Sequence, residues 1–378
     1  MRLIGHLVFT MLVGPVALVP IAGCSSTNSV KANTDGGTTT GGCANPPALV
    51  DDTFCKSCAF PAGSDPTTCS NVRSINACCT WVQEATKEVA RGVNLHNFSS
   101  TDATVNLGCL AAPPQAGASQ TVTLKGFVKL FSSGGDSAGV KVEIFKEGPN
   151  GSLGALVGTA VTTTNDDMVD PPYKDMAGML PTWLSKCPAE GCKFRSFAYS
   201  GIPTETPLII KTSDVMGGAS PTWADLYDYN IYFANSAVDG QMGVKYDPSA
   251  LASSDIGVVA ATVGATIKAG KGLIAGEVHD CGDVRLANAT VDSDQPHEGP
   301  MFYFSENEAD PLPDLNNKIG TSRLGLFGAL NFPTGTPVRL SAVGKYNGQE
   351  VLLGTYIVQT FPNAVTALSF RGRRPSQQ

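Results

Sequence analysis

The chain has 378 residues, of which 16% are charged and 7% are aromatic, and it contains 41 Gly and 25 Pro. This length predicts two to three domains, and the many turn residues favour short strands over long helices. The net charge of −7 and the isoelectric point near 5.1 argue against a nucleic-acid-binding protein, which needs a basic face.

Residues 1–23 have the pattern of a secretory signal peptide. Arg2 precedes an apolar run, and Ile21-Ala22-Gly23 provides a small-residue exit. The end of this segment resembles the lipobox of bacterial lipoproteins, which implies that Cys24 is acylated and becomes the first residue of the mature chain. In that family Ser25 at the next position suits transfer to the outer membrane. The alternative is an ordinary secretory signal with an incidental Cys24.

Residues 24–42 join this Cys to a tract of Ser, Thr, Asn and Gly, which is predicted to be a flexible tether. Two or three acyl chains would attach the protein firmly, since each buried CH₂ contributes about 0.8 kcal/mol. The sequence therefore predicts lipid anchoring to the bacterial outer membrane, on its periplasmic or its surface face. The expected partners are the membrane and a polysaccharide or another envelope protein, and no nucleic acid.

Besides Cys24 the chain has ten Cys residues, and an even number in an exported protein indicates disulfide bonds. Residues 43–79 are predicted to form a Cys-rich module that depends on such bridges. A zinc or redox site at Cys55-x-x-Cys58 is disfavoured, because a second Cys-x-x-Cys and a βαβ context are missing. One bridge is predicted, Cys187–Cys192. The pairing stays open for Cys43, Cys55, Cys58, Cys69, Cys78, Cys79, Cys109 and Cys281.

A short helix is predicted at about 79–91, in a helix and connector segment that extends over 80–118. Trp81, Ala85 and Val89 recur at helical spacing. This stripe is interpreted as core packing and not as a cofactor site.

A nine-residue phrase occurs twice, at 202–210 (IPTETPLII) and at 332–340 (FPTGTPVRL). The Pro residues exclude helix, and the apolar alternation that follows them is typical of a half-buried strand. We interpret the phrase as the closing turn and strand of a duplicated unit.

Upstream of each copy of this motif, the chain also has similar sequences that would form the first strands of the duplicated unit. Gly126-Phe127-Val128 precedes a strand that alternates from Val140 to Ile144, and Gly276-Glu277-Val278 precedes Ala289-Thr290-Val291. The second copy resembles the carboxypeptidase regulatory-like domain, a sandwich of the transthyretin (prealbumin-like) type, at Gly276, Ala289, Val291, Thr321, Gly325, Phe327 and Pro333.

This resemblance implies a mainly β protein with two prealbumin-like antiparallel β-sandwiches, at 119–216 and at 270–372, after the Cys-rich module and its short helix. The first copy departs from this pattern, because it lacks a clean Thr-x-x-x-Gly-x-Phe. Members of the family are mostly accessory, adhesive or scaffold modules, so the resemblance implies fold more than activity.

Residues 217–269 are expected to connect the two copies. The alternation from Tyr227 to Phe233 predicts a strand, and Asp247-Pro248 predicts the start of a short helix that ends near Val263.

Three aromatic residues are candidates for ligand contact. Trp183, Trp223 and Tyr232 could stack on sugars, which defines a carbohydrate-binding alternative. Burial in the core is the favoured interpretation of these side chains.

Catalytic patterns are incomplete. Gly-x-Ser-x-Gly occurs around Ser137, but a strand follows it where a nucleophile elbow needs a helix, so a turn is favoured. A hydrolase or metal enzyme built on His279, Asp280 and His297 is a second alternative. No catalytic, cofactor or metal-binding residue is assigned. The favoured function is a non-catalytic binding or structural role at the cell envelope.

Overall fold

The computed structural model describes residues 93–97, 104–111, 115–131, 136–162, 195–218, 221–295, 297–307, 311–317, 320–347 and 349–372. Five predictions lie outside this part of the chain: the signal peptide with Cys24, the tether, the Cys-rich module, the helix at 79–91 and the Cys187–Cys192 bridge. Trp183 also lies outside it. The described residues form a mainly β protein, as the sequence predicts.

Short strands carry most of the described structure. In chain order they are β1 His96–Asn97, β2 Thr121–Phe127, β3 Lys129–Leu130, β4 Val140–Glu147, β5 Leu153–Val161, β6 Ser196–Pro203, β7 Leu208–Asp214, β8 Leu226–Ile231, β9 Gly243–Lys245, β10 Ser249–Ala250, β11 Gly272–Val278, β12 Leu286–Ala287, β13 Thr290–Ser293, β14 Glu298–Tyr303, β15 Leu326–Phe332, β16 Pro337–Tyr346, β17 Gln349–Gln359 and β18 Val365–Phe370.

Two α-helices accompany them in the described residues, α1 at Gly108–Ala111 and α2 at Ser253–Thr262. Neither of these helices has the length and apolarity needed to cross a bilayer. Two 3₁₀ turns occur at Pro149–Gly151 and Asn235–Ala237.

An eight-stranded sheet runs through the molecule in the order β14-β15-β11-β18-β8-β7-β4-β5. Two three-stranded sheets, β6-β2-β9 and β13-β16-β17, accompany it, together with the two-stranded pairs β1-β12 and β10-β3.

The same pairing scheme occurs twice along the chain. In the first half (121–245), β2 is antiparallel to β6 and parallel to β9, while β4, β7 and β8 pair antiparallel in that order. In the second half (272–370), β11 has the same relations to β15 and β18, and β13, β16 and β17 repeat the antiparallel series. The remaining strand of each half is placed differently. In the first half β5 pairs with β4, whereas in the second half β14 pairs with β15.

The repeated phrase forms the same turn in both halves, between β6 and β7 and between β15 and β16. Its variable position has a positive φ each time, 53° at Glu205 and 79° at Gly335. Shortly before each turn a residue of positive φ, Gly201 or Asn331, accompanies a register shift against β2 or β11. These are the features of a bulge whose extra residue lies in the left-handed region.

One apolar core lies within the first half, and a second core in the second half also takes in Ile209, Tyr227 and Tyr229 of β7 and β8. Leu124, Ile144 and Ile210 are fully buried in the first half, and Phe327 and Phe332 are fully buried in the second. The junction is a parallel ladder in which β8 pairs with β18, from Leu226–Val365 to Tyr229–Leu368. A third apolar cluster lies beside this ladder and includes residues of α2.

The connector between the copies differs in part from its prediction. The strand predicted from Tyr227 is present as β8, and it pairs with β7. The helix start predicted at Asp247-Pro248 is wrong, because α2 begins only at Ser253. Asp247 instead accepts a hydrogen bond from the Phe127 amide at 2.9 Å, so its carboxylate joins the connection after β9 to β2 and is not available as a helix cap.

Candidate functional site

The segment before the first half is built into the second half. β1 pairs antiparallel with β12, and the Leu95 side chain enters the second core with 6% of its surface exposed. A disulfide bond joins Cys109 to Cys281, which lie 172 positions apart. The N-terminal segment is therefore attached to the half that is farther from it along the chain.

Asp280 organises this attachment. One carboxylate oxygen accepts hydrogen bonds from the Asn97 side-chain amide at 2.7 Å and from the Asn106 backbone amide at 3.0 Å. The other accepts from the backbone amides of Gly282 at 2.8 Å and Val284 at 3.1 Å. The residue is 2% exposed, so these four donors replace the water that a buried carboxylate would otherwise need.

A cleft of about 550 Å³ opens where the attached segment meets the second half. Its size lies within the range of small-molecule sites, roughly 300–1,000 Å³. Most of its lining side chains carry hydrogen-bonding groups. The lining residues are Val93, Asn94, Leu95, His96, Ala287, Asn288, Ser305, Glu306, Asp314, Asn317, Thr321 and Ser322.

The charge of the cleft restricts what it can bind. Among the lining residues Glu306 and Asp314 are carboxylates, and none is Lys or Arg. Phe, Tyr and Trp are likewise absent from this lining, so stacking on a sugar ring would depend on His96 alone. The arrangement favours a ligand with hydroxyl or ammonium groups over an anion.

The structure does not bring His279 and His297 together. His279 follows Val278 at the end of β11, whereas His297 precedes Glu298, which pairs with Leu330 near the start of β11. About six strand positions separate these levels, which is roughly 20 Å at the usual rise per residue. In the described part of the chain no group of three or more His, Cys, Asp or Glu side chains is arranged to hold a metal ion.

Both His residues have local partners. The His279 Nε2 atom lies 2.6 Å from Glu277, and its Nδ1 atom lies 3.0 Å from Asp283. Burial would lower the pKa of His279, but these two carboxylates outweigh it and raise the pKa. The His297 ring pairs with Asp292 at 3.6 Å and packs on Phe332 at 4.9 Å between centroids.

A network of buried charges surrounds the junction of the two halves. Burial would raise the pKa of Glu277, but hydrogen bonds from His279 and Arg285 outweigh it and lower the pKa to about 2. Burial raises the pKa of Asp228 on β8 to about 6, even though its carboxylate accepts a hydrogen bond from the Tyr246 hydroxyl. The junction thus combines one strongly acidic carboxyl with one that protonates easily.

Ser137 has a structural position. Its side chain is fully buried, and its hydroxyl oxygen accepts a hydrogen bond from the Arg195 amide at 2.7 Å. The Arg195 guanidinium binds Asp136 through two nitrogen atoms. Within the described part of this motif, Ala138 and Gly139 form a turn that leads into β4, as the sequence predicts.

The two described aromatic candidates are each engaged within the protein. Trp223 is 7% exposed in the first core, and its indole nitrogen donates to the Ala138 carbonyl at 3.2 Å. The half-buried Tyr232 donates its hydroxyl hydrogen to Glu205.

Sequence reasoning missed the cleft, since its lining residues come from distant parts of the sequence that share no motif.

Comparisons with known proteins give no family. No family model matches the chain, and no curated protein matches it. Among solved structures, the chain aligns with a point mutant of the shaft pilin SpaA of Lactobacillus rhamnosus GG, at 10% identity and a TM-score of 0.17, over 66% of this chain and 96% of that one.

Two further alignments are similar in quality. The SpaA shaft pilin itself matches at 11% identity and a TM-score of 0.16, over 68% of this chain and 100% of that one. The SpaE basal pilin of the same organism matches at 6% identity and a TM-score of 0.16, over 64% and 91%. Scores of this size do not establish a common fold. The fold itself defines the class: a mainly β protein whose two halves share one pairing scheme.

Proposed function

We propose that the chain is a lipid-anchored protein of the bacterial outer membrane with a non-catalytic structural or binding role. In this proposal the two halves are prealbumin-like sandwiches related to the carboxypeptidase regulatory-like domain. The pairing scheme shared by β2–β9 and β11–β18 supports that relationship. Hydrogen bonds within the protein engage Ser137, His279 and Asp280, which supports a role without catalysis.

One observation carries the proposal. The segment that leads from the predicted anchor is held to the second half by a strand pair, by the buried Asp280 and by the Cys109–Cys281 bridge. A covalent tie of this kind suits an oxidising compartment outside the cytoplasm. It also ties the segment around Cys109 to the second half of the molecule.

The anchor is tested by fractionating cells that express the full chain. Cys24→Ala is expected to release the protein from the membrane fraction and to abolish incorporation of labelled palmitate. Ser25→Asp is the matched control, because it keeps the acylated Cys but should hold the protein at the inner membrane. Retention of Cys24→Ala in the outer membrane would contradict the proposed anchor.

The cleft supports a second candidate function, the binding of an envelope or environmental amino sugar. Its two carboxylates and many hydroxyl and amide groups match a ligand that has both ammonium and hydroxyl groups. Calorimetric titration with an amino-sugar oligomer, a neutral oligosaccharide and an acidic one tests this candidate. Glu306→Gln is expected to weaken binding of the amino sugar, while Asp255→Asn on α2 serves as a control. Equal binding of all three oligomers would count against it.

A further inference from the structure

Residues 93–97, called the strap below, form one side of the cleft. Val93, Asn94, Leu95 and His96 belong to the lining, and every other lining residue comes from the second half. The cleft therefore has this shape only while the strap lies on the second half.

The strap is held by few contacts. Leu95 is its buried apolar side chain, and it fills a notch beside Gly344 of β16, where an added Cβ atom would lie 2.4 Å from Leu95 Cδ2. The Leu95 amide donates to the Lys345 carbonyl at 2.7 Å, and the Asn288 side-chain amide donates to the Asn94 carbonyl at 2.8 Å. The ladder between β1 and β12 has only two residue pairs, and the second of them is followed by no further pairing.

The chain on the C-terminal side of the strap is held more firmly. Val105 and Leu110 are buried in the second core, and Cys109 is bound covalently to Cys281. The Cys281 amide also donates to the Asn106 carbonyl at 2.9 Å. Because a segment opens locally at the least free energy where few buried apolar contacts are lost, the strap is the weakest part of this attachment.

We propose that the strap is a displaceable wall of the cleft: residues 93–97 leave the second half and return to it as a unit, while the Cys109–Cys281 bridge keeps the chain beside its site. Its effect on a ligand rests on the cleft function proposed above. A ligand in the cleft contacts the strap and the second half together, so ligand binding and strap docking strengthen each other.

Gly344→Ala tests the strap without altering its sequence, because the added methyl group would occupy the space of the Leu95 side chain. Gly354→Ala on the neighbouring strand β17 is the matched control. Its Cβ atom would make an ordinary contact, 3.4 Å from Phe370 Cδ1.

Hydrogen exchange of the native protein at several low urea concentrations measures the opening. In the wild type, exchange of the Leu95 amide is expected to depend little on urea, because a local opening exposes little surface. The amides of β11 should instead show the steep urea dependence of global unfolding. Gly344→Ala should accelerate exchange of the Leu95 amide by about tenfold or more, and Gly354→Ala should leave it close to the wild-type rate.

Leu95→Ala provides a second variant in case Gly344→Ala does not fold. It should accelerate exchange at position 95 in the same way, and Leu156→Ala is its control, since Leu156 is 52% exposed on β5. A Leu95 amide with the same urea dependence as the amides of β11 would overturn the proposal. Equal exchange of this amide in Gly344→Ala and Gly354→Ala would overturn it as well.

Titration with an amino-sugar oligomer separates this inference from the proposed function. The bound oligomer should slow exchange of the Leu95 amide in the wild type, and Gly344→Ala should bind it about tenfold or more weakly than Gly354→Ala. Equal affinity of the two variants would overturn the strap as a wall of the site. A wild type that does not bind the oligomer would refute the proposed cleft function, and exchange without ligand would still decide whether the strap opens.

Discussion

Gly126 and Gly276 occupy the same position in the two halves, and each faces a backbone carbonyl of the strand that runs parallel to its own. A Cβ atom on Gly126 would lie 1.8 Å from the Tyr246 oxygen, and one on Gly276 would lie 1.9 Å from the Leu368 oxygen. Neither position leaves room for a side chain. The close approach of a neighbouring backbone therefore explains why both positions, 126 and 276, are Gly.

Gly276→Ala is expected to lower the free energy of unfolding by about 3 kcal/mol or more, because the strands β11 and β18 must separate to admit a methyl group. Gly126→Ala should act similarly on the first half. Gly257→Ala in α2 is the control, since nothing lies within 4 Å of its added Cβ, and it should stabilise by roughly 0.5–1 kcal/mol. Urea denaturation measures all three variants, and equal midpoints for Gly276→Ala and wild type would refute the steric explanation.

Asp280→Asn should destabilise the protein by about 2–4 kcal/mol, since one acceptor oxygen becomes an amide that faces hydrogen-bond donors inside a buried site. The exposed Glu306→Gln should change stability by less than about 0.5 kcal/mol. Thermal unfolding of both variants checks the difference. An Asp280→Asn variant as stable as Glu306→Gln would show that the hydrogen bonds from Asn97 and Asn106 do not hold the N-terminal segment.

Glu147 should make stability depend on pH. Burial raises its pKa from 4.5 to about 7, an effect that the hydrogen bond from Tyr356 of β17 only partly offsets. The folded state therefore holds its proton more tightly than the unfolded state. Stability should fall as the pH rises from about 4.5 to about 7, by at most about 3 kcal/mol.

Glu147→Gln is expected to remove this fall, because its amide stays neutral and can still accept a hydrogen bond. Asp228 contributes in the same direction at slightly lower pH, since burial raises its pKa from 3.8 to about 6. Denaturation curves at pH 5 and pH 8 compare the wild type, Glu147→Gln and the exposed control Glu306→Gln. A wild type whose stability does not decrease relative to Glu147→Gln over this interval would contradict the predicted proton uptake.

Replacing both Cys109 and Cys281 with Ser should cost up to about 5 kcal/mol, because the bridge closes a long loop in the unfolded chain. Limited proteolysis should then cleave between Cys109 and the first half faster than in the wild type. Free-thiol titration of the unfolded wild type provides the control for bridge formation. Unchanged stability and unchanged cleavage would together argue against the bridge as the fastening of this segment.

Sequence reasoning anticipated the features that depend on local chemistry. The repeated Pro-Thr-x-Thr-Pro phrase marks equivalent turns, the strand from Tyr227 is β8, and the Ser137 motif is a turn. Local signals could not show which strand edges meet, so the β8–β18 junction was not anticipated. Asp247 misled the helix prediction because a side chain that bonds a distant amide looks the same in sequence as a helix cap.

The candidate site was harder to anticipate because it depends on contacts between distant residues. Cys109 and Cys281 were among eight Cys residues whose partners spacing alone leaves undetermined. Asp280 was considered as a metal or catalytic ligand, whereas its oxygen atoms are occupied by four donors from two separate segments. The cleft exists only where the attached segment and the loops of the second half come together.

The attachment of residues 93–97 and 104–111 to the second half decides where a mechanical load would enter the molecule. Tension applied through the N-terminus reaches Cys281 through the bridge before it can stretch the chain that leads into the first half. A partner that grips the second half would therefore leave the first half outside the path of force.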